Sequence, residues 1–263
     1  MDPSSHATLN AIRRTVLQMV FNGNEGHIPS AFSVLDILYV LYRDCLHFDP
    51  HDPRSPDRDR FVLSKGHASA GLYAVLSHFG YFPQEMLLGY CQPGSILGGH
   101  PDATMVPGIE ASTGSLGHGV AMAVGMALGL RQQGSARKVV VLVGDGEMDE
   151  GSFWEAMMMI QNTELKNIVV IADCNASQRY SHKYAYDRIL KEFDFGVSVV
   201  EGHDLDRLSA TLQPLVCMPL SRPAFVMAQT TKGQGVARFI GDHGWHRRTP
   251  TDAEMAHLLE ELR

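Results

Sequence analysis

The sequence predicts an α/β fold, a mostly parallel sheet with helices on both faces, and three observations carry that expectation. Two short apolar runs, Val139 to Val143 and Asn167 to Ala172, are rich in β-branched residues, the pattern of strands buried on both faces. Stretches with helical spacing precede, separate and follow them. Both runs lead into oxygen-bearing residues, Asp145 after the first, and Asp173 and Asn175 after the second. Ligands of open α/β sheets bind at such carboxyl ends.

Taken in order, Leu9, Ile12, Val16 and Met19 share one helical face after the capping candidates Ser4 and Ser5. Phe32 to Tyr42 predicts a second helix with Leu35, Leu38 and Tyr39 inward. Phe48 to Asp59 sets Pro50, Pro53 and Pro56 among charges and reads as a surface loop. Ala68 to Phe79 reads as a helix, and the Gly- and Pro-rich Tyr90 to Pro107 as a loop carrying His100. Gly119 to Arg131 is a helix with Ala121, Gly125 and Gly129 on one face, small residues that permit close packing on a partner or on the sheet. After the first strand, Trp154 to Ile160 is helical. The second strand is followed by a loop from Ala176 to Tyr186, a helix at Ile189 to Phe195 and a strand at Val197 to Val200. Ala224 to Gln229 is the last strand and leads into the glycine-rich Thr231 to Gly235. The charged end Asp252 to Arg263 is helical.

Composition agrees with this reading. At 263 residues, 44% hydrophobic and 19% charged, residues 1–263 can bury one sizeable core as a single domain. A net charge of −7 disfavours nucleic acid as a partner, and no basic amphipathic face suits a membrane surface. Cys45, Cys91, Cys174 and Cys217 are too scattered for a disulfide framework or a zinc site, so a cytoplasmic location is expected. The polar start from Met1 to His6 lacks signal-peptide character, and the apolar stretch Val120 to Leu130 is too short to span a bilayer.

The chemistry concentrates after the first strand, in Gly144-Asp145-Gly146-Glu147, Glu150-Gly151 and Trp154-Glu155-Ala156. Gly144 and Gly146 let the backbone approach an anion, and the following helix can turn its amino end toward phosphate oxygens. Asp145 and Asn175 stand 30 residues apart, about one βαβ crossover, so both oxygens can reach one cation from neighbouring strand ends. Hard oxygen ligands, one charged and one neutral, suit Mg2+ or Ca2+ carrying a diphosphate. Rival motifs fail: Gly144-x-Gly146 lacks the third glycine of a Rossmann fingerprint, and no Gly-Lys-Ser/Thr appears for a P-loop.

This ordered set, completed by Asn175, resembles the thiamine diphosphate motif, and further segments narrow the resemblance to the transketolase family. They are Gly26-His27-Ile28, Arg58 to His67, Gly98-Gly99-His100-Pro101, Ser112 to Gly119, Glu201 to Asp204, Thr231-Lys232-Gly233 and Trp245-His246. The likeness covers nearly the whole chain but less than half of a full-length transketolase. It implies the thiamin diphosphate-binding fold and the amino-terminal, diphosphate-binding subunit of a split enzyme. The pyrimidine and carboxyl-terminal domains would then sit on a partner chain in a 2+2 heterotetramer. A fragment of a longer chain would read the same, but Met1 and the helical charged end lead us to expect a complete subunit.

The resemblance also implies roles. His67 and His246 would approach the diphosphate and the transferred carbons, and His27 and His100 the substrate hydroxyls. Imidazole chemistry suits both tasks. Singly, each of the 13 histidines reads as a loop or core residue; four in motif context do not. Gly114, Ser115, Leu116, Gly144, Gly146, Glu147, Glu155 and Lys232 are expected to line the cofactor with His67 and His246. Glu150 and Glu155 match acids between two cofactor sites, with a solvated helix face as the plainer reading. The metal set would be Asp145, Asn175 and the backbone oxygen of Ser177. His118 replaces the family's usual Gln, while His203 and His243 read as structural or surface residues.

Two departures stand out. Ala176-Ser177-Gln178-Arg179-Tyr180 replaces the usual aliphatic stretch, and Arg247-Arg248 adds positive charge after Trp245-His246. Arg247 or Arg248 is therefore a candidate for holding an anionic substrate in a specialised pathway. The implied reaction moves a two-carbon ketol unit from a ketose or ketose phosphate to an aldehyde, and it needs the partner. Two alternatives stay open: part of an enzyme that works on a 2-oxo acid, as decarboxylase or acyl transferase, and a non-catalytic scaffold of the same fold.

Overall fold

The computed structural model describes residues 3–175 and 186–263. Five strands form one parallel sheet: β1 (Arg60–Leu63), β2 (Val139–Gly144), β3 (Ile168–Cys174), β4 (Gly196–Glu201) and β5 (Ala224–Gln229). Their spatial order is β1-β2-β3-β5-β4. The helices are α1 (Pro3–Gly23), α2 (Ile28–Val40), α3 (Ser69–His78), α4 (His118–Gln132), α5 (Gly151–Asn162), α6 (Tyr186–Glu192), α7 (Leu205–Cys217) and α8 (Asp252–Glu261).

Alternation along the strands splits the core in two. Phe61, Leu63, Val140, Leu142, Val169 and Ile171 face a layer built from α1, α2, α3, α7 and α8. Val139, Val141, Val143, Ile168 and Val170 face the layer of α4, α5 and α6. Every residue of α2 is buried, and its polar members Ser33 and Asp36 are partnered: Ser33 donates to Asp173, and Asp36 pairs with Arg13 at 2.7 Å. Its regular turns end at Val40, where a single π-turn, Leu41–Cys45, takes up the rest of the expected helix.

Most expected elements are present within a few residues. Two were not anticipated. β1 has only four residues and follows directly on a charged, proline-rich loop, too short for a periodic signal. α7 did carry one: Asp204 caps it by accepting from the backbone N–H groups of Asp206 and Arg207, and Leu205, Leu208, Leu212 and Val216 form its buried stripe. Pro214 inside the helix is the contrary local signal. α6 begins at Tyr186, earlier than expected. The loop expected before it and the expected metal residue Ser177 lie outside the described residues.

Helix α4 resolves the question of its small residues. Val120, Ala123, Val124 and Ala127 pack inward on the sheet, and Ala121, Gly125 and Gly129 lie on the opposite side.

Candidate functional site

Residues that follow β1, β2 and β5 line one cleft of about 910 Å3 at the carboxyl end of the sheet. The register pairs Gly144 of β2 with Asp173 of β3, so Asp145 and Asn175 emerge from adjacent strands one and two residues beyond that pair. Lys65 follows β1, and Thr230 to Lys232 follow β5. Asp145 is 6% exposed, and one of its oxygens accepts from the Gly146 N–H at 2.8 Å.

Beneath the cleft floor lies a polar network with Asp173, 0% exposed, at its centre. Its carboxylate forms an ion pair with Lys65 and accepts from Thr230, from Ser33 at 2.7 Å and from the Asn175 amide at 2.9 Å. These contacts hold its carboxyl below the ordinary range despite burial that pushes the other way. Lys65 and Asp173 stand inside sequence motifs that assign neither of them a role; an acid two residues before a ligand candidate was the available signal. With its amide nitrogen engaged by Asp173, Asn175 is oriented from below.

Glu147 stands where the cofactor would be gripped, yet its carboxylate is engaged by the protein. It accepts from Ser64, from Gly117 N–H at 2.7 Å and from Gly144 N–H at 3.2 Å, and burial raises its pKa. This clamp ties β2 to the turn that starts α4. The turn requires glycine twice: Gly117 adopts φ +82°, and a Cβ on Gly119 would come within 2.6 Å of Ser64 Cα.

The four expected histidines converge. His27 sits at the amino end of α2, His67 in the turn before α3, His100 in the glycine-rich loop and His246 in the turn His243–Arg247. Ring centroids lie 5.4 Å apart for His27 and His67, 5.4 Å for His27 and His246, 6.4 Å for His27 and His100, and 6.1 Å for His67 and His246. Burial, reinforced by nearby positive groups, lowers His27 to about 4 and His67 to about 2. His246 is lowered for the same reasons. These three imidazoles are therefore neutral at pH 7. Lys232 Nζ stands 3.3 Å from His246 Nδ1, and burial lowers the lysine as well.

Gly114 and Leu116 line the same cleft, and a Cβ on Gly114 would come within 3.1 Å of the His100 ring. Ser115 is exposed in the adjoining groove beside His118. Glu150 and Glu155 are exposed, Glu150 just before α5 and Glu155 on its outer side, and neither borders the cleft. His203 is structural: its ring bonds Asp36 at 2.9 Å and accepts from Thr231 N–H at 2.7 Å, which steadies the Lys232 loop. His243 and Arg247 border the cleft. Arg248 does not; it bonds Glu254 at 2.6 Å and lies 4.2 Å over the Trp245 ring.

The donor set fits a cation-bound diphosphate. Asp145 and Asn175 follow adjacent strands, although Asn175 does not itself line the cleft, and Lys232 supplies positive charge. Among the described residues nothing lies within 4 Å of where a Gly146 Cβ would stand. The buried His27 Nδ1 has no hydrogen-bond partner among the described residues, with the Glu25 carboxylate 3.9 Å away. No group of three or more His, Cys, Asp or Glu side chains among the described residues is arranged to hold a metal ion.

Comparison with known proteins agrees with this geometry. Residues 4–262 match the family model described as transketolase, thiamine diphosphate binding domain. The chain is 38% identical over 262 residues to an apulose-4-phosphate transketolase subunit of Actinobacillus succinogenes, covering 96% of this chain and 94% of that one. It is 32% identical over 259 residues to the 6-deoxy-6-sulfo-D-fructose transketolase subunit SqwG of a Clostridium species, covering 96% and 94%. Among solved structures, the transketolase of Campylobacter jejuni superposes with a TM-score of 0.88 at 28% identity, over 99% of this chain and 43% of that one. The chain thus spans nearly all of the subunit relatives and about two-fifths of that transketolase. With the strand-end oxygens, the histidine cluster and the match over residues 4–262 together, the chain belongs to the transketolase family as a thiamine diphosphate-binding, amino-terminal-type subunit.

Proposed function

We propose that this chain is the diphosphate-gripping half of a two-chain transketolase. It transfers a two-carbon ketol unit from a ketose phosphate to an aldehyde once a second chain supplies the pyrimidine domain, with two copies of each chain in the assembly. The observation that carries the reading is the convergence of four imidazoles, three held neutral by burial, beside Asp145 at the strand ends.

When bound, thiamine diphosphate supplies the reactive carbon and the electron sink. Asp145 and Asn175 would hold Mg2+ or Ca2+, with the Ser177 backbone oxygen as a third ligand, and Lys232 would face the diphosphate. A neutral imidazole can donate from one nitrogen while accepting at the other, so His27 and His100 can bond sugar hydroxyls without burying charge. His67 and His246 would pass protons at the atoms undergoing change and stabilise developing negative charge. Residues 1–263 then act as one binding domain whose site is completed by the partner.

The outer side of α4 and α5 supports a docked second chain. Ala121, Gly125 and Gly129 lie there, Met158 and Met159 are 45% and 46% exposed, and Glu155 lies among them. No helix among the described residues is long and apolar enough to cross a membrane, and all four cysteines are free, which fits a reducing cytoplasm.

The test is co-purification from the native host, mass spectrometry of any stoichiometric partner, and a ketol-transfer assay with thiamine diphosphate and Mg2+. Transfer by the complex but not by the isolated chain is expected. Transfer by the chain alone would overturn the two-chain reading, and turnover of a 2-oxo acid instead of a ketose would overturn the substrate class.

A further inference from the structure

The adjacent Arg247 and Arg248 have opposite surroundings. Arg248 is held: it bonds Glu254, which also accepts from Thr251 at the start of α8, and it stacks on the buried Trp245. Arg247 is exposed and borders the cleft. Among the described residues no carboxylate pairs with it. Its charge is nonetheless felt inside, since it contributes to the depression of both His27 and His246.

The other charges of the cleft are largely committed. Lys65 is paired with Asp173, Glu147 is saturated by its own clamp, and Lys232 and Asp145 stand at the expected diphosphate and cation positions. Arg247 is thus a cation on the histidine wall with no paired carboxylate among the described residues. A guanidinium in that position is built for a tetrahedral oxyanion, which it can bond in two places at once. Anchoring Trp245 at 1% exposure against Phe239, with ring centroids 4.8 Å apart, fixes the short turn that carries Arg247 to the rim.

Resting on the transketolase reading, we propose that Arg247 is a specificity-determining residue that recognises the oxyanion, phosphate or sulfonate, of a charged ketose donor. Sugar specificity then does not reside wholly in the partner chain. Arg248, one residue on, is structural.

The test uses the assembled complex and three donors on one carbon skeleton: fructose 6-phosphate, 6-deoxy-6-sulfofructose and fructose. Arg247→Ala should lower the ratio of kcat/KM for a charged donor over fructose by about tenfold to a hundredfold, the scale of a charge-assisted contact. Arg247→Lys should recover part of that loss. The charged donor with the larger fall identifies which oxyanion the residue reads. Arg248→Ala should leave the ratio unchanged while lowering thermal stability. An unchanged ratio in Arg247→Ala overturns the inference, as does a comparable loss of thiamine diphosphate affinity measured by calorimetry, which would assign the residue to the cofactor. Absence of transfer from all three donors by the unaltered complex would instead overturn the transketolase reading itself.

Discussion

Lys65 and Asp173 form a buried ion pair beneath the cleft, with side chains 3% and 0% exposed, and the same Asp173 oxygen accepts from the Asn175 amide. The pair therefore joins the end of β1 to the end of β3 and orients a cation-ligand candidate. Removing one member leaves a buried charge uncompensated, which costs about 3–5 kcal/mol. Lys65→Met should lower unfolding stability by that amount in urea titration of the chain. A loss under about 1 kcal/mol would mean that the serine, threonine and asparagine donors suffice for Asp173 alone.

Asp145 carries the only formal charge in the expected metal set. Asp145→Ala should weaken thiamine diphosphate binding to the complex by at least about tenfold, on the scale by which metal-site substitutions reduce affinity. The remaining binding should no longer respond to Mg2+. Calorimetry with Mg2+ and with a chelator measures both effects. Retained Mg2+ dependence in the variant would place the cation elsewhere.

The histidine cluster makes the fold sensitive to acid. In the unfolded chain an imidazole takes up its proton near 6.5, but His27 in the fold does so only near about 4 and His67 near about 2. The unfolded state thus binds more protons through that interval, and stability must fall as pH drops from 6.5 through 4 toward 2. Above 6.5 these two groups contribute no pH dependence. His27→Gln should flatten the decline between pH 6.5 and 4, seen as denaturation midpoints at pH 7.5 and pH 5. Parallel pH slopes for the two proteins would show that His27 is not depressed.

The legible part of this molecule lay where local pattern and chemistry coincide. Val139 to Val143 announced a strand by its β-branched run, and the next residues named the site, because a glycine-flanked acid at a strand end serves a cation and a diphosphate together. The histidines were legible as motif members, not as a cluster, since His27 and His246 meet only through the packing of the terminal turn on the start of α2. Lys65 and Asp173 were invisible as partners for the same reason: 108 residues separate them, and parallel pairing of β1 through β3 brings their ends together. Glu147 shows the converse. Its place in the motif suggested cofactor contact, but only the fold reveals that Ser64, Gly117 and Gly144 already engage its carboxylate.

The outer side of α4 yields the last prediction. Among the described residues outside the helix's own backbone, Gly125 and Gly129 have no atom within 4 Å of an added Cβ, so larger side chains there have room on the chain itself. Replacing glycine inside a helix also lowers the entropy cost of ordering it, so the double variant Gly125→Arg, Gly129→Arg should melt no lower than the parent. If a second chain docks closely on these small residues, two arginines there would be forced against its surface without counter-charges, a repulsive element on the order of several kcal/mol. The variant should therefore fold normally and fail to co-purify with the partner. Co-purification at the parental stoichiometry would move the docking surface off α4 and leave its glycines without an assigned role.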